Sequence, residues 1–341
     1  MLEDQAFSAG KLDMKLLKSL LARVKLDSRV LVGPGVGEDA AVIDFGDRCL
    51  VCKTDPVTFA TDDIGWYAVH INANDLATMG ATPRWFMATV LLPEGSCDET
   101  LIGNIFEQVT TACHELNVSL VGGHTEVTHD LNRPIVVGSM MGEVHKEKLV
   151  MSSGAQEGDA IVLTKKIPLE GTALIAREKE SELLAAGYEQ TFIASAQKLL
   201  REPGISVVKD AIIASSVARI HAMHDPTEGG LATALHELAV AADVGILVDQ
   251  ESVPMVASGE QLCREFDLDP FGVIASGALL IVVGRDDAKL VVDTLRDSDI
   301  QGTVIGEVLP VESGVLLRRG GHKMPLTLYA KDEITKLFEF A

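Results

Sequence analysis

The chain has 341 residues, of which 47% are hydrophobic and 23% charged. That is a globular composition, at a length that suggests two domains and a sizeable core. Its 50 Asp and Glu against 29 Lys and Arg give a net charge of −21, which speaks against nucleic acid and anionic membranes, because both need a positive footprint. Five cysteines, an odd count in a long chain, exclude a disulfide scaffold.

No run approaches the ~18–20 apolar residues of a membrane span. Met1 to Gly10 carries Glu3 and Asp4 and lacks a basic-then-apolar signal, so a cytoplasmic protein is expected. Aromatics are only 4%, so the core must be Ala, Val, Ile and Leu, as where helices cover a sheet of branched aliphatics.

Asp13 to Lys25 places Met14, Leu16, Leu17, Leu20, Leu21 and Val24 on one helical face, with Asp13 as N-cap. Gly33 to Gly37 is a loop. Ala40 to Asp44 and Cys49 to Thr54 read as strands. Cys49 and Cys52 then point to opposite faces, as core cysteines rather than a zinc pair. Gly65 to Met79 reads as a helix stopped by Gly80 and Pro83. A strand follows at Trp85 to Leu92, and an amphipathic helix at Thr100 to Leu116. Val118 to Val121 is a strand ending in Gly122-Gly123, with His124, Glu126 and His129 on a loop beyond it. Ile135 to Val144 is the next strand.

The polar, Gly- and Ser-bearing stretch from His145 to Gly158 is the expected boundary between domains 1–150 and 151–341. Beyond it come a strand at Ala160 to Thr164 and helices at Gly171 to Leu184 and Gly204 to Ser215. A strand at Ala218 to Met223 and a helix at Leu231 to Ala242 follow, then strands at Gly245 to Val248, Leu279 to Val283 and Thr303 to Val308. Strands mixed with helices across both halves point to an α/β (α+β) fold. The stretches 184–203 and 253–277 form no readable pattern.

Certain acidic residues sit beside Gly, Pro, Asn and Thr rather than on solvated faces. They are Glu38-Asp39 after Gly37, Asp55 before Pro56, Asp75 in Asn72-Ala73-Asn74-Asp75, Glu126 in Gly122-Gly123-His124-Thr125-Glu126, and Asp225 and Glu228 in His224-Asp225-Pro226-Thr227-Glu228-Gly229-Gly230. Each lies at a strand end or helix start, where α/β sites gather. Mg²⁺ prefers hard oxygens, a few carboxylates plus phosphates. Glycines let backbone approach a phosphate, and helix starts add N–H donors. An acidic protein can thus bind ATP by placing Mg²⁺ between carboxylate and phosphate. Gly33 to Gly37 lacks a following Gly-Lys-Ser/Thr and precedes a strand, which excludes both the P-loop and the dinucleotide fingerprint. No Gly-x-Ser-x-Gly elbow is present.

In this order the clusters resemble the superfamily of aminoimidazole-ribonucleotide synthetase, which includes thiamine-monophosphate kinase, selenophosphate synthetase and the hydrogenase-maturation protein HypE. The matching stretches are Gly37 to Ala41, Thr54-Asp55, Asn74 to Pro83, Gly122 to Glu126, Gly158-Asp159 and Asp225 to Leu231, the last closest to HypE. The resemblance implies a two-domain fold, a homodimer joined through the strands of the N-terminal domain, and phosphoryl transfer to, or ATP-driven activation of, a small acceptor. By the same resemblance Asp39, Asp55, Asp75, Asp225 and Glu126 hold the metal. Gly37, Asn72, Gly122, Gly123, His124, Thr125, Thr227 and Glu228 lie near the nucleotide. Asp75, Asp225 and Lys11 are catalytic, Lys11 on a segment that closes over the triphosphate.

The sequence departs from each relative. It ends in Ala341, whereas HypE ends in a Cys that is carbamoylated and dehydrated, and its last cysteine is Cys263. Glu228 stands where HypE has Arg. The Ser8 to Lys11 stretch lacks the reactive Cys of selenophosphate synthetase. Three readings follow: an ATP-dependent enzyme, which includes a kinase like the thiamine-monophosphate one; a hydrogenase-maturation factor acting through a partner protein; and a nucleotide-binding regulator without turnover.

Overall fold

The structure, a computed structural model, describes residues 12, 14–35, 39–58 and 62–338. In chain order its first half holds α1 (Met14–Leu21), β1 (Val30–Val32), β2 (Ala41–Asp44), β3 (Arg48–Val57), α2 (Ile64–Thr78), β4 (Thr82–Pro93), α3 (Glu99–Glu115), β5 (Ser119–Thr128) and β6 (Ile135–His145). The second half holds β7 (Ala160–Thr164), α4 (Leu169–Glu178), α5 (Glu180–Ala185), α6 (Gln190–Lys198), α7 (Val208–Val217), β8 (Ile220–His224), α8 (Gly230–Ala242), β9 (Gly245–Asp249), α9 (Ala257–Glu265), β10 (Leu280–Val283), α10 (Ala288–Arg296), β11 (Gly302–Leu309), β12 (Val315–Arg319) and β13 (His322–Pro325). Two mixed sheets result, ordered β1-β2-β3-β6-β4-β5 and β13-β12-β9-β11-β7-β10-β8. Most neighbours are antiparallel. Only β4 with β5 and β9 with β12 run parallel.

The first sheet carries helices on one face. In β3, Cys49, Val51 and Val57 alternate into the core, while Leu50 and Cys52 turn to the opposite, open face. Cys49 and Cys52 are both free thiols. In β4, Phe86, Ala88, Val90 and Leu92 point inward, while Trp85 and Met87 stand exposed on the open face.

Helix α2 decides the architecture. All of its residues but Ile71 are buried, as for a helix covered on every side. It packs on β3 and β6, on α3, and on α7 and β8 of the second half. One core runs from Val42, Val51 and Phe86 through α2 to Val162, Met223 and Ile281. Asn74 secures that junction: its amide donates to the Ile205 carbonyl at 2.8 Å and its oxygen accepts from Val207 N–H at 2.9 Å. Arg201 lies over the Trp66 ring, 3.9 Å from its centroid, and pairs with Asp63 at 2.6 Å.

Several elements differ from the sequence expectation. The strand at Val118 does not end at Gly122-Gly123. It continues as β5 to Thr128, because residues 119–128 pair with Trp85 to Pro93 of β4, and His124 and Glu126 are strand residues. Gly123 has φ +153°, and a Cβ there would stand 2.1 Å from the Ala88 carbonyl oxygen, so the close approach requires glycine. The helix expected at 171–184 breaks at Lys179 into α4 and α5. The one expected from Gly204 begins only at Val208, since residues 200–204 form a π-turn containing Pro203. Helices α6, α9 and α10 and strands β1, β12 and β13 are additions to the expected set. Each is short, so its apolar period is brief. Asp13 lies outside the described residues. Among the described residues, no helix is long and apolar enough to cross a membrane.

Candidate functional site

Between the two sheets lies a buried acidic cleft assembled from four segments. The loop before β2 brings Asp39, β3 brings Lys53 and Asp55, α2 brings Asn72, Asp75 and Thr78, and the end of β8 brings His224 with Asp225 just beyond. Alternation along β3 puts Lys53 and Asp55 on the face toward α2. On α2 the i, i+3 spacing stacks Asn72, Asp75 and Thr78 on one side.

The contacts are specific. Lys53 Nζ lies 3.1 Å from Asp75 Oδ2 and 3.9 Å from Asp55 Oδ2. Thr78 Oγ1 lies 3.0 Å from Asp39 Oδ2 and 2.8 Å from the Asp75 carbonyl, so its one hydroxyl proton serves either. Asn72 donates to the Ala68 carbonyl at 2.8 Å and lies 3.4 Å from the Asp55 carbonyl. His224 Nδ1 is 3.1 Å from Asp39 Oδ2, and its Nε2 is 3.0 Å from Glu237 Oε2. One ligand atom each of Asp39, His224 and Asp225 lie within 4.8 Å of one another.

Burial and crowding set the charges. Burial pushes the Asp75 carboxyl well above the usual range, and Asp225, Asp39 and Asp55 push the same way against the pull of Lys53. Asp225 is pushed up to about 6, by burial first and Asp39 second. Burial also opposes ionisation of Asp39, but His224, Lys53 and Thr78 outweigh it and lower its pKa. Burial likewise opposes the charge on His224, but Asp39 and Glu237 raise it well above the ordinary imidazole value. Lys53 is raised by Asp75 and Asp55 despite burial. Four carboxylates thus face two cationic side chains.

The donors fit a divalent cation. They are hard oxygens with one imidazole, and the buried Asn72 Oδ1 has no hydrogen-bond partner. No hydrogen bond of good geometry reaches Asp75 Oδ2 either, although the Lys53 ammonium is close. A multivalent cation with its water or phosphate would satisfy both atoms.

The structure brings together Asp39, Asp55, Asn72, Asp75 and Asp225 of the residues marked in the sequence. It places others elsewhere. Asp55, Gly138, Ala88 and Gly123 form one row across β3, β6, β4 and β5. Gly123 is therefore three strand spacings, about 14 Å, from Asp55. Glu126 lies three residues farther along β5, and that odd offset turns it to the open face. There it pairs with His124 at 3.2 Å, and Gly122 shares that face. Thr125 faces the helix side, beside α3, and Gly122, Gly123, His124 and Thr125 line a cavity of about 380 Å³ with Ile105, Phe106 and Val109. Glu228 is exposed and acts on Asp332 rather than on the cleft. The Thr227 carbonyl closes the turn to Gly230 at 2.9 Å, where Gly229 and Gly230 have φ +81° and +64°. Lys11, Gly37 and Glu38 lie outside the described residues.

Lys53, Thr78, His224 and Glu237 were not marked as site residues in the sequence. Lys53 sits two residues before Asp55 and His224 directly before Asp225, so adjacency was the available signal. Glu237 lies mid-helix in α8 and had none.

Comparison with known proteins fits this architecture. The family model for the AIR synthase related protein, N-terminal domain, matches residues 37–144, and that for its C-terminal domain matches residues 156–318. A putative hydrogenase expression/formation protein of Methanocaldococcus jannaschii is 29% identical over 328 residues, covering 91% of each chain. The crystal structure of a HypE–HypF complex superposes with a TM-score of 0.74 at 23% identity, covering 92% of this chain and 99% of that one. The hydrogenase maturation protein HypE in complex with ATP gives 0.66 at 23% identity, covering 93% and 91%. With both halves matched in order, the chain belongs to the AIR synthase-related family, and its fold is that of HypE.

Proposed function

We propose that the chain is a HypE-like, ATP-dependent enzyme that activates a small acceptor by phosphoryl transfer in the cleft between its two domains, residues 1–150 and 151–341. The observation that carries this reading is the convergence of Asp39, His224 and Asp225, from distant segments, within 4.8 Å of one another, with the buried Asp75 and its Lys53 partner in the same cleft. The likeness to a HypE that was crystallised with ATP supports the nucleotide.

In this reading Asp39, Asp75 and Asp225, with Asp55 at the rim, hold Mg²⁺ or a similar ion. An ion held by these residues would supply charge neutralisation for phosphoryl oxygens. Lys53 keeps Asp75 in place, and the buried walls exclude water and strengthen each electrostatic contact. Asp225, pushed up to about 6 by burial and Asp39, is ionised at neutral pH and so can serve as a ligand. Asn72 Oδ1 is a spare acceptor for a bound water or ligand N–H. Lys11, Gly37, Gly122, Gly123, His124, Thr125, Thr227, Glu228 and Glu126 keep the roles implied by resemblance as proposals. Those on β5 can reach a cleft only from a second copy. The apolar open face of the first sheet, with Trp85 and Met87, suits such a homodimer. A HypF-type maturation protein is the proposed partner class, from the HypE–HypF likeness.

Calorimetry of ATP with and without Mg²⁺ tests the reading. Wild type binds only with the ion, and Asp75→Asn binds at least about 100-fold more weakly, in line with loss of a buried charge-assisted contact. Wild type that binds no Mg-ATP overturns it.

A further inference from the structure

An imidazole is not a ligand that Mg²⁺ favours, because Mg²⁺ takes oxygen ligands in a strict octahedron. His224 is nevertheless held there with some care. It is 7% exposed, its Nδ1 faces Asp39, and its Nε2 lies 3.0 Å from Glu237 Oε2. A carboxylate behind the far nitrogen is the arrangement that fixes tautomer and ring orientation in metal-binding histidines. The three candidate ligand atoms lie within 4.8 Å of each other, so a small adjustment would bring them to the spacing of at most about 4.2 Å that ligands about 2.1 Å from one ion require. Beside Asp55, the buried Asn72 Oδ1 lacks any hydrogen-bond partner.

We propose that His224 is a metal ligand: with Asp39 and Asp225 it forms a mixed nitrogen–oxygen centre, backed by Glu237, that takes a borderline first-row ion such as Mn²⁺ or Co²⁺ in preference to Mg²⁺. This deepens the reading above and rests on the cleft being a cation site. The ion takes the place between Nδ1 and Asp39 that a proton holds in the metal-free state, and that proton leaves to solvent. Nε2–H then donates to Glu237. Imidazole favours the later first-row ions over Mg²⁺, so affinity rises from Mg²⁺ through Mn²⁺ to Co²⁺.

The test is pulsed electron paramagnetic resonance of the full chain loaded with Mn²⁺ and no nucleotide, alongside calorimetric titration with Mn²⁺, Co²⁺ and Mg²⁺. The expected result is modulation from a directly bound imidazole ¹⁴N, with Mn²⁺ at least about tenfold tighter than Mg²⁺. His224→Gln abolishes the modulation and narrows the Mn²⁺/Mg²⁺ ratio. Glu237→Ala weakens Mn²⁺ about 10–100-fold while leaving the ligand itself in place, and it serves where His224→Gln does not fold. Absence of ¹⁴N coupling in the wild type, or no Mn²⁺ binding, overturns the proposal. Mg-ATP binding without nitrogen coupling removes His224 as a ligand and leaves the proposed function. Nitrogen coupling without ATP binding does the reverse.

Discussion

Two regions rich in Gly and acidic residues look alike on paper and differ in space. In the interdomain cleft, Asp39, Asp75 and Asp225 come from a loop, a buried helix and a strand end, and each is shielded from water. On β5, residues 119–127 are all exposed, and Glu126 finds its partner in His124 on its own strand. Burial is what separates them. A carboxylate in the cleft loses its hydration and feels its neighbours through a weakly screening medium, so burial first and Asp39 second push Asp225 up to about 6. An exposed pair on an edge strand interacts across water and contributes little. Acidic composition marks both regions, and only the fold decides which one can concentrate charge on a cation.

The largest expected effect probes the cleft through its cation. Lys53→Met leaves Asp75 facing Asp225, Asp39 and Asp55 without its ammonium partner. Removing one member of a buried pair costs about 3–5 kcal/mol, and urea unfolding at pH 7 should show a loss of that size. Adding Asp75→Asn to that variant should recover most of it, because the uncompensated charge is gone, and a double-mutant cycle isolates the coupling. A loss under about 1 kcal/mol for Lys53→Met would mean the cleft behaves like the surface, and the contrast with β5 would dissolve.

The next effect sharpens the comparison with a buried carboxyl outside the cation cluster. Glu170, at the start of α4, is pushed up to about 7 by burial first, with Ser276 as a hydrogen-bonding neighbour that pulls the other way and Asp332 and Asp225 as repelling charges. Its folded pKa lies above the unfolded value of 4.5. The native state therefore keeps an extra proton between those pH values, and the stability from it is complete below about 4.5 and lost as pH rises through about 7. Glu170→Gln should be close to neutral at pH 4.5 and stabilising by up to about 3 kcal/mol at pH 8. Unfolding free energies at both pH values check it, and an equal effect at both would show that Glu170 does not titrate as a buried group.

The sequence showed the long elements and the polar punctuation, and missed what depends on distant pairing. Helix α2 was readable because fifteen residues of helix run between clear stops, and α3 because its apolar period is regular. Strand β5 was cut short at Gly122-Gly123, since glycines signal turns locally and only β4 beside it explains why they are needed. Asp39, Asp75 and Asp225 stood out by their Gly, Asn and Pro neighbours. Their convergence with Lys53 and His224 did not, because contact across 185 residues, as between Asp39 and His224, leaves no periodic trace. Glu237 was invisible for the same reason: a Glu within a helix reads as a solvated charge until β8 places an imidazole against it.

The smallest expected effect decides how separate the two regions are. Glu126→Gln and His124→Ala remove an exposed pair on β5, and each should shift unfolding free energy by no more than about 0.5 kcal/mol. Within one chain, neither should change Mg-ATP affinity, since Glu126 faces away from Asp55 and two strands, β6 and β4, lie between them. A homodimer through the open sheet face alters that expectation, because Glu126 shares this face with Trp85 and Met87. Affinity measured across a dilution series, with sedimentation to follow association, separates the cases. Loss of affinity in Glu126→Gln confined to concentrations where the chain is dimeric would show β5 completing the cleft of a second copy. Loss at every concentration would mean that the exposed edge and the buried cleft act within one chain, and that burial alone does not divide them.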